Sequence, residues 1–325
     1  MHAPGNGPAF AIYYSLLAAF GVLANLATIV ILSRGRCGLS KCITQYLISM
    51  AVTDFLVIIA AVILSRLRVI YFPANFLSTT PGCSVIIVFS CASRDSSVWL
   101  TVAFTFDRYL AICCPELKTK YCTEKTAVVV ITVVCMMCCL KNIPFYFIYE
   151  PMYMIDKVPW YCSIKASNYI SIAWRVYDWL DRILTPCLPF VLILLLNVLT
   201  VRHILLASRV RRRLRAERNG KNQGDSEMES RRKSIVLLFA ISGSFLLLWL
   251  TYVVNFLFVQ ISGSNYSIGS NANDPKFILQ ECGYMLQLLS SCTNTCIYAG
   301  TQTKFRRELK DAFKLFFNLI AKLHK

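Results

Sequence analysis

The sequence predicts an all-α membrane protein: a seven-transmembrane helix bundle followed by a short amphipathic eighth helix. Three observations carry that prediction. Apolar residues make up 56% of the 325 and charged residues only 16%, where ordinary soluble domains carry about 25% charged residues. The apolar residues fall in seven long runs, each close to the roughly 20 residues a helix needs to cross the hydrocarbon core. Lys and Arg gather in alternate connections between those runs, as they do in multi-pass proteins. Such a chain has too much apolar surface to stay disordered and too little charge to cover a water-soluble enzyme. Its net charge of +17 would suggest nucleic acid in a soluble protein. Between membrane spans the excess reports topology instead, and no nucleic-acid partner is expected.

The first run covers about Phe10–Leu32, with no charge before Arg34. The second, about Ile43–Leu64, is interrupted only by Asp54, and the third, about Cys83–Phe106, holds the adjacent pair Arg94 and Asp95. The fourth, about Thr126–Tyr149, contains Lys141. The fifth is about Ile183–Val201 with a start a turn or two earlier, near Ala173. The sixth is about Ser234–Gln260 and the seventh about Phe277–Ala299, with Glu281 near its start. Between the fifth and sixth runs, Ser208–Lys233 mixes Arg, Lys, Glu, Gly and Asn and reads as a loop, with disorder expected around Asn219–Ser226. Thr303–Lys325 reads as an amphipathic tail helix in which Phe305, Leu309, Phe313, Phe316 and Phe317 recur between basic residues, as on an interfacial helix that meets membrane lipid.

Seven crossings put the termini on opposite sides. The connections after runs one, three and five, together with the tail, hold 25 of the 34 Lys and Arg, so that side is cytoplasmic and the N-terminus is outside. Residues 1–9 are then extracellular, 10–299 form the membrane domain with 208–233 as its third cytoplasmic loop, and 300–325 form the cytoplasmic tail. The sequon Asn265-Tyr266-Ser267 falls in an outer loop, where Asn265 is open to glycosylation. Met1–Ala9 carries no Lys or Arg, so no cleavable signal peptide is expected. The 15 cysteines are scattered and lack metal-binding spacing, so most serve as small apolar residues and no cofactor is expected. No repeat relates the halves, which argues against a transporter built from repeats.

Asp107-Arg108-Tyr109 ends the third run, within Ser97-Val98-Trp99-Leu100-Thr101-Val102-Ala103-Phe104-Thr105-Phe106-Asp107-Arg108-Tyr109. In that place, with the N-terminus outside, the motif resembles the rhodopsin-like family of G-protein-coupled receptors, and the resemblance covers nearly the whole chain. Gly21 and Asn25 match the family's GxxxN, Asp54 the acid of its second span, Pro189 the span-five proline, and Phe245 with Trp249 the aromatic switch of span six. Asn294-Thr295-Cys296-Ile297-Tyr298 resembles a variant NPxxY, followed by Phe305-Arg306 at the head of the eighth helix. The resemblance implies a disulfide between Cys83 and Cys162. It further implies a switch built on Asp107, Arg108, Tyr109, Asn294 and Tyr298, in which Asp107 restrains Arg108 at rest. The partners implied are a heterotrimeric G protein, a small extracellular ligand, arrestin and receptor kinases, at the plasma membrane. The chain also departs from the pattern. Thr251 and Thr295 stand where prolines are usual, Asn197 replaces a tyrosine, span four has no tryptophan, and Arg231 stands where many members carry an acid. Within the family, the DRY segment and the missing tryptophan are most similar to an orphan subgroup linked to aromatic amino acids and short peptides.

Ionisable residues inside spans are candidate functional groups, because burying them unpaired is costly. Asp54 is either a structural hydrogen-bonding group or, as the resemblance implies, the carboxylate of an allosteric sodium site with Ser97, Ser290, Ser291 and Asn294. Arg94 lies 14 residues before Arg108, roughly 21 Å along the helix, toward the outer half of the bundle. At the head of span five, Arg175, Asp178 and Arg182 can satisfy one another at helical spacing. Asp181 has no base three or four residues away, and Arg94 is the expected partner. That pair either only holds the bundle together or is split by a zwitterionic ligand, with Arg94 on the carboxylate and Asp181 or Glu281 on the amine. Trp249, Tyr252 and Phe256, at helical spacing, are packing residues or the floor and wall of that pocket, with Ser90 a further candidate contact. No catalytic Ser/His/Asp set, HExxH or P-loop is present, so no enzymatic activity is expected. The rival readings are a transporter or channel that uses the intramembrane charges, and a degenerate receptor.

Overall fold

The structure is a computed structural model that describes residues 8–217, 225–262 and 274–323. Seven long helices, called here spans one to seven, form the bundle. They are Pro8–Ser33; Lys41–Tyr71; Thr80–Cys113; Glu124–Asn142; Ile172–Arg182 continuing through Leu188–Glu217; Asp225–Ser262; and Pro275–Thr301. An eighth helix, Thr303–Leu323, follows at once. Among the described residues, six of these helices are long and apolar enough to cross a membrane. Span seven has the length, 27 residues, but is less apolar because it carries Gln280, Glu281, Gln287 and Asn294, all of them buried inside the bundle. The outward faces are apolar: Leu23, Val129, Met137, Leu194 and Leu247 are all exposed, as a lipid-facing surface requires.

Span three is the central strut, packed against spans two, four, five and six. Span one closes the ring against spans two and seven, and spans six and seven pack along their length. Two glycines permit the closest approaches. A Cβ on Gly21 would stand 2.7 Å from the Cys292 sulfur, and one on Gly283 3.2 Å from the Cα of Tyr252. Asn25, one turn after Gly21, donates to the Gly21 carbonyl at 3.0 Å and across to the Ser291 carbonyl at 2.9 Å.

Helix ends follow their local chemistry. Ser40 and Thr123 cap spans two and four by accepting from the backbone N–H three residues on, and Asp274 caps span seven, where Pro275 fills a position that needs no donor. Span four stops as an α-helix at Asn142, because Pro144 has no N–H to offer and its ring crowds the preceding turn; a 3₁₀ stretch, Ile143–Ile148, follows. Span two runs about two turns beyond the expected Leu64, to Tyr71, and its stretch Ile58–Leu67 is π-helical. A second π turn, Ile183–Cys187, surrounds Pro186 in span five and so precedes Pro189. The expected loop Ser208–Lys233 is a correction: span five continues helical to Glu217 and span six begins at Asp225, leaving 218–224 outside the described residues. Arg, Leu, Glu, Met and Lys are all good helix formers, and two adjoining spans supply the nucleus. The Arg231 side chain and those of Phe316 and Phe317 lie outside the described residues, as does Asn265 with its sequon.

Four short strands went unforeseen. Tyr149–Glu150 pairs with Ser163–Ile164, and Tyr153–Ile155 with Val158–Trp160. The inner hairpin turns on Asp156 and Lys157, both with positive φ, as a two-residue turn between twisted strands demands. Beside it a disulfide joins Cys162 to Cys83 at the head of span three. Tyr161, also at positive φ, donates its backbone N–H to the Ser78 carbonyl at 2.7 Å. The hairpin layer is thereby fastened over one end of the bundle, and the Arg108 motif lies at the other.

Candidate functional site

At the Arg108 end, Asp107 and Arg108 are both buried and ion-paired, with Arg108 Nε donating to Asp107 Oδ2 at 3.0 Å. The other Asp107 oxygen accepts from the Cys42 thiol at 3.4 Å. Arg108 also reaches span six, where its Nη1 donates to Ser234 Oγ at 3.5 Å. Ser234, three residues after Arg231, thus ties Arg108 to the start of the apolar part of span six. Tyr109 is half-buried. The Cys122 thiol, in the adjoining connection, is pushed up to about 11, first by burial and then by the Asp107 carboxylate. Tyr298 is buried with its ring edge-on to Phe305, and its hydroxyl has no hydrogen-bond partner among the described residues. Further into the bundle, Asn197 and Ser242 exchange hydrogen bonds between spans five and six at 2.9 and 3.0 Å.

Asp54 is fully buried in mid-bundle. Its oxygens accept from Ser97 Oγ at 2.5 Å and from Asn294 Nδ2 at 2.7 Å, and Ser291 stands at the same carboxylate. Ser290 does not join them: it accepts from Trp249 Nε1 at 3.2 Å and donates to the Gln287 carbonyl at 2.6 Å. Adjacent helical residues point about 100° apart, so Ser290 and Ser291 cannot both face Asp54. Thr295, in place of the usual proline, keeps an N–H. Its hydroxyl bonds that of Thr28 at 2.7 Å and the Ala24 carbonyl at 3.1 Å.

Above Asp54 lies an internal cavity of about 20 Å³, lined by Asp54, Ser97 and Asn294 below and by Arg94, Gln287 and Trp249 above. That is room for about one water. Arg94 Nη2 meets the Cys91 sulfur at 3.3 Å, while its Nε has no hydrogen-bond partner among the described residues. Both side-chain atoms of Gln287, which is buried, are likewise unpartnered. Trp249 stacks on Phe245 and meets Tyr252 edge-on, and Tyr252 packs against Tyr284. Of the residues foreseen, Arg94 and Trp249 therefore share the cavity and Tyr252 adjoins it. Phe256 is buried one turn beyond, and Ser90 is half-buried on span three; neither lines the cavity.

The expected Arg94–Asp181 pair is overturned. Asp181 is ion-paired with Lys141 at 2.6 Å, and the same ammonium holds Asp95 at 2.7 Å. Thr185 accepts from Lys141 at 2.9 Å and donates to Asp95 at 3.1 Å, while Asn142 donates to Asp95 at 2.7 Å. Lys141 wins because it lies in span four, between spans three and five, where its long stem reaches both acids. Its charge was visible in the sequence; its position between two acids was not. Of the Arg175–Asp178–Arg182 series only the Asp178–Arg182 pair forms, at 2.6 Å.

Glu281 is buried too, and its ion partner is Arg66 of span two, at 3.7 Å. Arg66 also lies over the rings of Tyr14 and Tyr284, 5.5 and 5.8 Å from their centroids. Sequence reasoning missed Arg66. Counted as an α-helix, the step from Asp54 to Arg66 turns about 120° away; a π turn absorbs one residue and brings it to within about 20°. Gln287 was missed because it is neutral and carries no motif.

A family model described as "7 transmembrane receptor (rhodopsin family)" matches residues 24–298. The chain is 24% identical over 309 residues to the FMRFamide receptor of Drosophila melanogaster, an alignment that covers 90% of the chain and 51% of that receptor. The chain therefore spans about half the length of this relative. It is 22% identical over 302 residues to the C-C chemokine receptor type 1 of Macaca fascicularis, covering 92% of the chain and 78% of the relative. To the pyrokinin-1 receptor of Drosophila melanogaster it is 27% identical over 133 residues, 41% of the chain and 30% of the relative. With the central span ending in Asp107-Arg108-Tyr109 and the family match running from span one to Tyr298, the chain belongs to the rhodopsin family of seven-transmembrane receptors.

Proposed function

We propose that this chain is a plasma-membrane receptor, N-terminus outside, that binds a small extracellular ligand and activates a heterotrimeric G protein. One observation carries the reading. The half-buried Arg94, through its buried Nε, and the buried Gln287 present polar atoms without a partner among the described residues to a cavity under Trp249, while Arg108 is held by Asp107 at the far end of the same helix. A ligand anion on Arg94 would bear on Trp249 and, through span three, on the Arg108 restraint. It shifts the population only as far as it binds the released state better. Aromatic amino acid-like ligands and short peptides both suit a guanidinium beside Trp249, Tyr252 and Tyr284. Relatives named as FMRFamide, pyrokinin and chemokine receptors favour the peptide side. Released Arg108, with Tyr109, Asn294 and Tyr298, would form the G-protein face; arrestin and receptor kinases would read the same side, and the basic eighth helix would rest on anionic lipid.

Asp54, Ser97, Ser291 and Asn294 supply an all-oxygen set around space for one small guest, which suits a sodium ion. Ser290 drops out of that set. Sodium held there would favour the resting state, with the positive Arg94 at the other end of the cavity opposing it.

The test is G-protein dissociation in cells, with tryptophan, phenylalanine and short aromatic peptides as ligands. A response lost in Arg94→Ala and in Arg108→Ala, at unchanged surface expression, is expected. Silence throughout at good surface expression would sink the signalling reading and return weight to a degenerate receptor.

A further inference from the structure

A second set of unsatisfied polar atoms lies apart from Arg94, between spans one, two and seven. Both carboxylate oxygens of Glu281, Nη1 of Arg66 and the hydroxyl of Tyr14 are buried and have no hydrogen-bond partner among the described residues. Glu281 exposes only 2% of its side chain and Arg66 14%. At 3.7 Å the two charges attract but do not hydrogen-bond. A buried carboxylate with no donor loses the water it left and gains little in return. The bare ion pair is therefore a poor resting place for four polar atoms and a good one for a guest that satisfies them.

The chemistry of the guest follows from the charges. An ammonium would satisfy Glu281 but face the Arg66 cation; a carboxylate would satisfy Arg66 but face the Glu281 anion. A primary carboxamide carries two donors and an acceptor on one planar group and no charge. Its NH₂ can donate to Glu281 while its oxygen accepts from Arg66 Nη1 or the Tyr14 hydroxyl. The faces of Tyr14 and Tyr284, which now hold the guanidinium, supply flat apolar walls. Tyr284 also packs on Tyr252, which adjoins the Arg94 cavity through Trp249, so one ligand can reach both places.

We infer that Arg66, Glu281 and Tyr14 form a subsite for an uncharged primary carboxamide, such as an amidated C-terminus. It deepens the receptor reading, since the group it takes would belong to the ligand proposed above. Arg66, with its long stem at the more open end, is the part that yields on entry.

The test uses the purified full chain in detergent and three probes: N-acetyl-phenylalaninamide, N-acetyl-phenylalanine and free phenylalanine. The amide is expected to raise the melting temperature saturably, with the acid about tenfold weaker, the worth of one charge-assisted hydrogen bond. Glu281→Gln should erase the preference for the amide, and Tyr14→Phe, which keeps the ring and its packing, should weaken amide binding alone. Equal binding of amide and acid, a preference that survives Glu281→Gln, or no binding would overturn the subsite and leave a hydrated ion pair. Stronger binding of free phenylalanine would overturn the carboxamide assignment in favour of a zwitterion. Nucleotide exchange on G protein is read in parallel. An amide-selective shift without exchange keeps the subsite and fails the signalling reading, and exchange without amide selectivity does the reverse.

Discussion

Lys141 sets one ammonium between two acids inside an apolar bundle, and no neutral side chain can replace it without leaving both Asp95 and Asp181 uncompensated. Lys141→Met is expected to cost about 3–5 kcal/mol, the usual penalty for stranding a buried charge. Thermal unfolding checks it, and the double change Lys141→Met with Asp95→Asn should recover part of the loss. Asp54 sits in the opposite situation, a carboxylate met only by neutral donors. If sodium binds there, raising sodium lowers basal nucleotide exchange and Asp54→Asn removes that response; a response unchanged in Asp54→Asn rules the site out. Arg94→Ala should strengthen the sodium effect, since it removes the competing cation. At this scale the sequence showed most of the buried charges, though not Arg66 or Arg68, and it did not show the pairing. Arg94, Asp95, Lys141, Asp181 and Glu281 were all legible as costly residues in apolar runs. Which of them met depended on helix neighbours, and a charge on a spacing-silent helix such as span four gave no sign of its partners.

Individual spans were legible from apolar run length, but the capped ends at Ser40, Thr123 and Asp274 were not read from it. Irregularities inside them were not legible either. The π stretch Ile58–Leu67 contains neither proline nor glycine, so nothing in its composition announced it, yet it decides which way Arg66 faces. Pro186 was a visible reason for the second π turn. The seam between spans one and seven shows how a missing proline is absorbed. Thr295 keeps the backbone donor, and its hydroxyl reaches span one instead. Thr28→Val removes one partner and leaves the Thr295 oxygen its Ala24 contact, so a loss of about 1 kcal/mol is expected, read as a lower melting temperature. A loss near zero would mean that the hydroxyl pair only fills space.

For the whole molecule, the disulfide between Cys83 and Cys162 closes a sequence separation of 79 residues. A loop of that length is expected to contribute about 4.5 kcal/mol through the unfolded chain. Cys83→Ser should therefore lower the melting temperature sharply, and should also free the hairpin layer to proteolysis between Tyr149 and Ile164. The fold class, the seven crossings and the family were legible because each rests on many residues at once. The hairpins were not, because strands of two or three residues leave no periodic pattern.

The Lys141 network has a further meaning for the order in which the bundle is made. As the chain enters the membrane, span three brings Asp95 before its partner Lys141 is there to meet it, and an unpaired aspartate in mid-membrane costs roughly 2.5–3.5 kcal/mol. Span four then brings the ammonium, and span five the second acid. The three helices are neutral in pairs only after the fourth has arrived and balanced by hydrogen bonds only after the fifth. Their lateral association is thus built into synthesis, and a nascent chain stopped after span three holds Asp95 without Lys141, Asn142 or Thr185.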